Sequence, residues 1–452
     1  MNRALVWIGF FVCAFSVNTA CTAERPNVIL IFSDDQRFDT IGAVGNSDIK
    51  TPHLDRLVLR GTTFTHTYIM GSTQPAVCVC SRACLMSGRS LFRAPGNLAG
   101  VPLLPDVLAQ AGVKTYGIGK WHNGPASYAR AFDDGAAIFF GGMHGHAKMP
   151  FFDFDKNGKY PRSAQRTGDV FSSQLFADKA IAFLENYDAP APFFLYVALS
   201  APHDPRTPPG KYKTMYDPAK LTLPKNFLPQ HPFDNGELKI RDEELAPFPR
   251  TERVIRQHLA DYYGMISHLD EHVGRLLQTL AGSTHAKNTV VIFAADNGLA
   301  VGQHGLLGKQ SMYDHSLRVP LTMAGPGIAA DKRFSEPVYL HDLFATICHW
   351  QNANVPEASE SNDLAALMAG ETRPREYLFA AYRDVQRMVR RGNHKLIYYP
   401  KIDRTQLFDL QNDPWEMSDL AVKPTDEHAR LIVSLREQLS RAQAEYDDPL
   451  VK

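Results

Sequence analysis

Three short apolar runs constrain this chain most. Asn27 to Ser33 reads NVILIFS, Phe193 to Leu199 reads FFLYVAL, and Thr289 to Ala295 reads TVVIFAA. Nearly continuous apolar runs of this length predict strands buried on both faces, as in a parallel sheet covered by helices. Polar residues follow each run: Asp34-Asp35, His203, and Asp296-Asn297. Open α/β sheets place ligands beyond the carboxyl ends of their strands, so these residues are the first candidates for a site. Amphipathic patterns lie between the runs. Thr51 to Arg60 carries Pro52 at its start and Leu54, Leu57 and Val58 on one face. Val170 to Leu184 and Thr251 to Leu280 are longer, the second with Gly264 as a candidate kink. Alternating strand and helix predicts an α/β sandwich.

At 452 residues the chain can bury one large core and a smaller appendage. From about Arg373 the pattern changes to short strands, including Lys395 to Tyr399 and Gln406 to Leu410, and then a terminal helix in which Leu431, Leu435 and Leu439 recur. The expected division is therefore a leader over 1–23, a main domain over 24–372, and a small C-terminal α+β subdomain over 373–452. Two stretches, Pro125 to Thr167 and Ala201 to Phe248, are irregular and rich in Gly, Pro, His and aromatics. Such segments line functional clefts or form surface excursions.

Arg3, the apolar stretch from Ala4 to Ala14, and the small residues Ala20 and Ala23 read as an export signal. Asn18 stands where a lipid-attachment motif wants an aliphatic residue, which argues against anchoring through Cys21. No later stretch is long and uncharged enough to cross a bilayer. A periplasmic or secreted protein is expected, with no transmembrane span after processing. Lys+Arg and Asp+Glu both total 48, so no global charge points to nucleic acid. A local basic pocket for an anion remains compatible with that balance.

The candidate chemistry starts with oxygen ligands. Asp34, Asp35, Asp296 and Asn297 converging at strand ends would suit Ca²⁺ or Mg²⁺, although Asp and Asn also terminate strands without binding anything. Lys120 and Lys309 each follow a glycine-rich stretch and could hold an oxyanion or simply be solvated. His203, in SAPHDP, could protonate a leaving group or be structural. Cys78, Cys80 and Cys84 crowd into seven residues, a spacing awkward for disulfides and without a partner cluster for zinc. Cys84 and Cys348 read as packing residues.

The segment from Cys78 to Gly88, CVCSRACLMSG, resembles the signature of the type I sulfatases, in which Cys-x-Pro-x-Arg or Cys-x-Ala-x-Arg opens a motif ending near Thr-Gly. FSDDQRFDTIG, TPHLDRL, GIGKWH, APHDP, AADNG, GQHGLLGKQSMYDHSLRVP and LFDLQNDPWEMSDL extend the resemblance in order over nearly the whole mature chain. The resemblance implies an alkaline phosphatase-like fold, a central mixed sheet flanked by helices. It implies a sulfuric ester hydrolase whose Cys78 is oxidised to formylglycine by a formylglycine-generating enzyme, with Ca²⁺, or Mg²⁺ in its place, held by Asp34, Asp35, Asp296, Asn297 and residue 78. Lys120 and Lys309 would neutralise sulfate, Arg82 would orient residue 78, His203 would serve the leaving alcohol, and His122 would take a proton from residue 78. His304, Arg206, Arg383 and Arg387 are candidates for reading a sulfated carbohydrate, and Asn123 shares the ambiguity of its neighbour His122. One position departs from the pattern: Cys80 stands where the family has Pro or Ala. Two further readings follow, a phosphonate monoester or phosphodiester hydrolase of the same superfamily, and an inactive sulfated-glycan-binding protein if Cys78 is not converted.

Overall fold

The computed structural model describes residues 25–451. The export signal and Cys21 lie outside the described residues. The elements of the main layer, in chain order, are β1 (Asn27–Ser33), α1 (Pro52–Arg60), β2 (Thr62–Phe64), α2 (Val77–Ser87), β3 (Lys114–Lys120), β4 (Asp134–Phe139), α3 (Ser172–Asn186), β5 (Phe193–Ala198), α4 (Glu252–Gly282), β6 (Thr289–Ala295), β7 (Leu321–Ala324) and β8 (Lys332–Phe334). The eight strands form one sheet in the order β8-β2-β7-β6-β1-β5-β3-β4, in which β7 alone runs against the others. β1, β5 and β6, the three apolar runs, are its central strands and are buried along their whole length. Apolar clusters cover both faces: Val28, Leu30 and Phe32 pack on one side, and Ile29 and Ile31 on the other with Leu269 of α4. The α/β expectation and the mixed central sheet are both found.

Two local readings change. β4 was hidden in the first irregular stretch: Asp134–Phe139 begins with Asp and Gly, so it lacks the continuous apolar run of a central strand, and it lies at the sheet edge. Gly264 is not a kink, because α4 runs unbroken from Glu252 to Gly282. A Cβ there would lie 2.7 Å from the Tyr212 carbonyl oxygen and 2.9 Å from Pro208, so glycine lets the second irregular stretch pack directly on the helix.

A second sheet follows, built from β9 (Tyr377–Tyr382), β10 (Gln386–Arg391), β11 (His394–Tyr399) and β12 (Arg404–Asp409), with α5 (Asp426–Glu445) packed on it. Its fifth strand comes from far away in sequence. Gly71–Ser72 pairs parallel to β9, Gly71 opposite Ala381 and Ser72 opposite Tyr382. Among the described residues no helix is long and apolar enough to cross a membrane.

Candidate active site

Register explains why the acidic pairs meet. β1 and β6 are parallel neighbours with Ser33 opposite Ala295, so Asp34-Asp35 and Asp296-Asn297 leave the sheet side by side. β5 flanks β1 on its other side and leads to His203. Lys120 ends β3 after a register shift at Ile118/Gly119. Gly119 there has φ +86°, and a Cβ would sit 2.0 Å from the Ala198 carbonyl oxygen, so only glycine permits the bulge that aims Lys120. Asp35 and His122 also have positive φ, 62° and 69°, a conformation that costs energy in non-glycine residues and clusters at functional sites. The Tyr262 hydroxyl of α4 helps hold Asp35 in place by donating to its carbonyl at 2.6 Å.

The acids are fully buried and cross-linked by three cations. Lys120 pairs with Asp34, Lys309 Nζ lies 2.6 Å from Asp35 Oδ1, and Arg82 Nε donates to Asp296 Oδ2 at 2.9 Å. The Asn297 amide donates to Asp35 Oδ1 at 2.8 Å. Two buried oxygens, Asp34 Oδ1 and Asn297 Oδ1, have no hydrogen-bond partner. Leaving such atoms bare is costly, and hard oxygen donors are the set a Ca²⁺ or Mg²⁺ ion takes. Ligand atoms of Asp34, Cys78 and Asp296 come within 4.8 Å of one another, as do those of Asp34, Asp35 and His203. The residues present therefore fit a divalent cation. Burial opposes ionisation of Asp34, but Lys120, His203, Arg82 and Lys309 outweigh it and hold the carboxyl below its usual range. Asp296, buried beside Asp34, is pushed up; a cation between them favours both charged forms.

Cys78 is the second residue of α2, at the positive end of the helix, where backbone N–H groups favour an anion. Its Sγ lies 3.2 Å from His122 Nδ1 and 3.9 Å from Lys120 Nζ. Burial pushes the thiol up to about 11 despite the two lysines, so an unmodified Cys78 is neutral at physiological pH. Cys80 is two residues on, about 200° around the helix. Its Sγ instead meets Thr73 Oγ1 at 3.4 Å, on the other side of α2. Arg82 does not face residue 78 in the expected way: its donors go to Asp296, Asp34, the Tyr196 hydroxyl and the Lys120 carbonyl, so it braces the acids and α2.

Burial and Lys120 push His122 down to about 2. Burial also lowers His203, with Asp35 opposing. His203 Nδ1 bonds the Asp204 carbonyl at 2.8 Å, which leaves Nε2 toward Asp35 at 3.6 Å. His146, from the first irregular stretch, fixes this histidine from behind: its Nε2 lies 2.9 Å from the His203 carbonyl and its Nδ1 2.7 Å from Ser172 Oγ. Cys78, His122, His203 and Lys309 line one pocket of about 250 Å³, whose mouth carries Met143, Arg241 and Asp242.

Four expected specificity residues lie elsewhere. Arg387 is fully buried, bonded to Asp448 through Nε and Nη2, and cannot reach a ligand. His304 stacks on Tyr313 at 3.8 Å and its Nε2 lies 3.0 Å from the Glu416 carbonyl, so it ties the loop after β6 to the loop after β12. Arg383 pairs with Glu237 at 2.7 Å. Arg206 sits half-buried near His258 and Asp261, outside the residues lining the pocket. Asn123 donates to the Val79 and Gly96 carbonyls and so holds α2. The corrected role of Arg387 has a measurable outcome. Arg387→Met leaves Asp448 charged and buried and is expected to cost about 3–5 kcal/mol in denaturant titration, with KM unchanged; a raised KM at full stability would contradict it.

Arg241, Asp242, Met143 and Gln310 were not singled out from the sequence. Adjacency was the only signal for two of them: Gln310 follows Lys309, and Asp204, which binds Arg241, follows His203.

Comparison with known proteins identifies the family. The sulfatase family profile matches residues 26–353. A second, described as the C-terminal region of N-sulphoglucosamine sulphohydrolase, matches 302–445. An arylsulfatase of Clostridium perfringens is 26% identical over 88% of this chain and 90% of its own. An N-acetylglucosamine-6-O-sulfatase of Bacteroides thetaiotaomicron is 25% identical over 94% and 87%. A solved chain in complex with its substrate, D-glucosamine-2-N,6-O-disulfate, superposes with a TM-score of 0.79 at 24% identity, covering 94% of this chain and 99% of that one. The phosphonate monoester hydrolase of Agrobacterium radiobacter superposes at 0.72 and 20% identity, covering 93% and 96%. At these identities the structural neighbours speak for the fold, whereas the family profile spans most of the chain. The chain belongs to the sulfatase family, the type I, alkaline phosphatase-like sulfuric ester hydrolases.

Proposed function

We propose that this sulfatase removes sulfate from carbohydrate esters in the periplasm or outside the cell, with residue 78 as formylglycine and one divalent cation, Ca²⁺ or in its place Mg²⁺. The observation that carries the reading is the meeting of Cys78, His122, His203 and Lys309 in one small pocket, beside buried acids with two unpartnered oxygens. The carbohydrate class is supported by relatives named for N-acetylglucosamine 6-O-sulfate and for ulvan. A pocket of about 250 Å³ suits the end of a chain better than its middle.

Converted to formylglycine, residue 78 would supply a hydrated aldehyde: one hydroxyl attacks sulfur as its proton passes to Asp296, within 4.8 Å of Cys78 Sγ, and the other, once deprotonated, becomes the aldehyde oxygen as the C–O bond to sulfate breaks. Held by Asp34, Asp35, Asp296 and Asn297, the cation supplies Lewis acidity toward sulfate oxygens. The chain's own residues do the rest. Lys120 and Lys309 neutralise the anion, and the N-terminus of α2 adds its dipole. His122, kept neutral by burial and beside residue 78, accepts the proton of the second hydroxyl. His203 gains its proton as an anion enters, since a neighbouring negative charge favours the imidazolium, and passes it to the departing alcohol oxygen.

The test is the intact mass of the peptide spanning residue 78 after co-expression with a formylglycine-generating enzyme, followed by turnover of matched sulfate and phosphate esters. An aldehyde or hydrate mass with faster sulfate release is the expected result. An unmodified thiol would favour the binding-protein reading. Faster phosphonate or phosphodiester hydrolysis would favour the alternative suggested by the phosphonate hydrolase neighbour.

A further inference from the structure

We propose that Asp204, Arg241 and Asp242 select what stands beside the ester, favouring an uncharged hydroxyl over a second sulfate or a carboxylate. The inference rests on the carbohydrate sulfatase reading above.

Arg241 lies at the pocket mouth with 46% of its side chain exposed, against Met143, which is 47% exposed. It is already paired. Nη1 and Nη2 donate to the two oxygens of Asp204, the second at 3.0 Å, and Nη2 also donates to Asp242. Two carboxylates share this one guanidinium, so its charge is taken up before a ligand arrives; His203 and Arg206 also face Asp204, and Lys309 faces Asp242. The floor differs: Arg82, Lys120 and Lys309 balance Asp34, Asp35 and Asp296, and a bound cation makes the balance positive. Cations free to meet an anion thus gather at the position of the scissile sulfate, whereas beside the ring carrying it Arg241 is already paired with two carboxylates.

The carboxylates cannot turn away easily. Asp242 Oδ2 accepts from Gln310 Nε2 at 2.8 Å, and Gln310 also donates to the Pro75 carbonyl at 3.0 Å. The backbone of Asp204 is held by His203 Nδ1 at 2.8 Å. Burial works against the Asp204 charge, but the Arg241 hydrogen bond holds the carboxyl down to about 2, so it is ionised at any working pH. A ring hydroxyl can donate to a spare lone pair of either acid and accept from Arg241. A sulfate or carboxylate can only accept, and it meets two like charges.

The experiment compares kcat/KM per ester for phenyl sulfate, catechol monosulfate and catechol bis-sulfate, in wild-type protein carrying converted residue 78, D204N and R241A. Wild type should prefer the monosulfate over the bis-sulfate by about tenfold at low salt, and the gap should narrow as salt screens it. D204N should narrow the gap, and R241A should widen it. Equal or better turnover of the bis-sulfate by wild type, a gap insensitive to both salt and D204N, or a gap narrowed by R241A would overturn the proposal. The last outcome would make Arg241 an anion reader. Phenyl sulfate has no second substituent and reports on ester hydrolysis alone; its failure with converted protein would overturn the underlying reading, and the inference with it.

Discussion

Cys78→Ser is expected to release one equivalent of alcohol per molecule and then stop, with the sulfate kept on the protein. A serine hydroxyl at residue 78 would keep the position beside His122, Lys120 and the positive end of α2. It can attack sulfur as its own proton passes to Asp296, whose carboxylate comes within 4.8 Å of Cys78 Sγ; the S–O bond to the alcohol breaks, and the alcohol leaves with a proton from His203. The product is a sulfated serine with no second hydroxyl on its carbon, so His122 has no proton to take and the ester cannot collapse. Steady-state turnover should fall at least about 10³-fold, as when a covalent nucleophile is lost, while one equivalent of alcohol is released. Mass spectrometry would find one added sulfo group on the peptide. Sustained sulfate release by the serine variant would show that the second hydroxyl is not needed.

Lys395→Met should be the most destabilising single change at the seam between the sheets. Lys395 Nζ, fully buried on β11, lies 2.8 Å from Asp314 Oδ1 and 2.7 Å from Glu416 Oε1. The network continues: the Tyr68 hydroxyl donates to Asp314 at 2.8 Å, and Glu416 accepts from the Asp314 backbone at 2.7 Å. Methionine fills the space but leaves two buried carboxylates facing each other, a change that costs about 3–5 kcal/mol. The loss should depend on pH. Burial and Asp314 already push Glu416 up to about 7 from 4.5, against the pull of Lys395. Between those values the folded state holds a proton that the unfolded state has released, so stability falls as pH rises through that window. Without Lys395 the penalty should be largest above it and shrink on acidification. Denaturant titrations at pH 5 and pH 8 would measure this; an equal loss at both pH values would refute the electrostatic account.

The central strands and the acids at their ends were legible in the sequence because burial on both faces leaves an unbroken apolar run with a polar stop. The site residues carried by the resemblance, Cys78, His122, Lys120, His203 and Lys309, do come together, although their catalytic roles are the proposal made above. What sequence did not show was pairing across long separations. Arg387 finds Asp448 61 residues away, and His304 bonds a carbonyl 112 residues away. Nothing local distinguishes such an arginine from one that awaits a ligand. Arg241 was missed for a related reason: its stretch has neither helical nor strand periodicity, and only the folded chain brings it over the pocket. The edge strand β4 was missed because an edge needs no continuous apolar run.

The short strand Gly71–Ser72 adds a temporal consequence. It leads directly into α2 and Cys78, yet its partner is β9, synthesised some three hundred residues later. A nascent chain that has not reached Tyr377 has no template on which to set this approach, so the reactive helix is among the last parts to be locked. Ribosome-stalled chains ending before and after β9 should therefore differ in how readily a thiol reagent labels residue 78. An enzyme that converted that cysteine would have the whole interval of elongation in which to work.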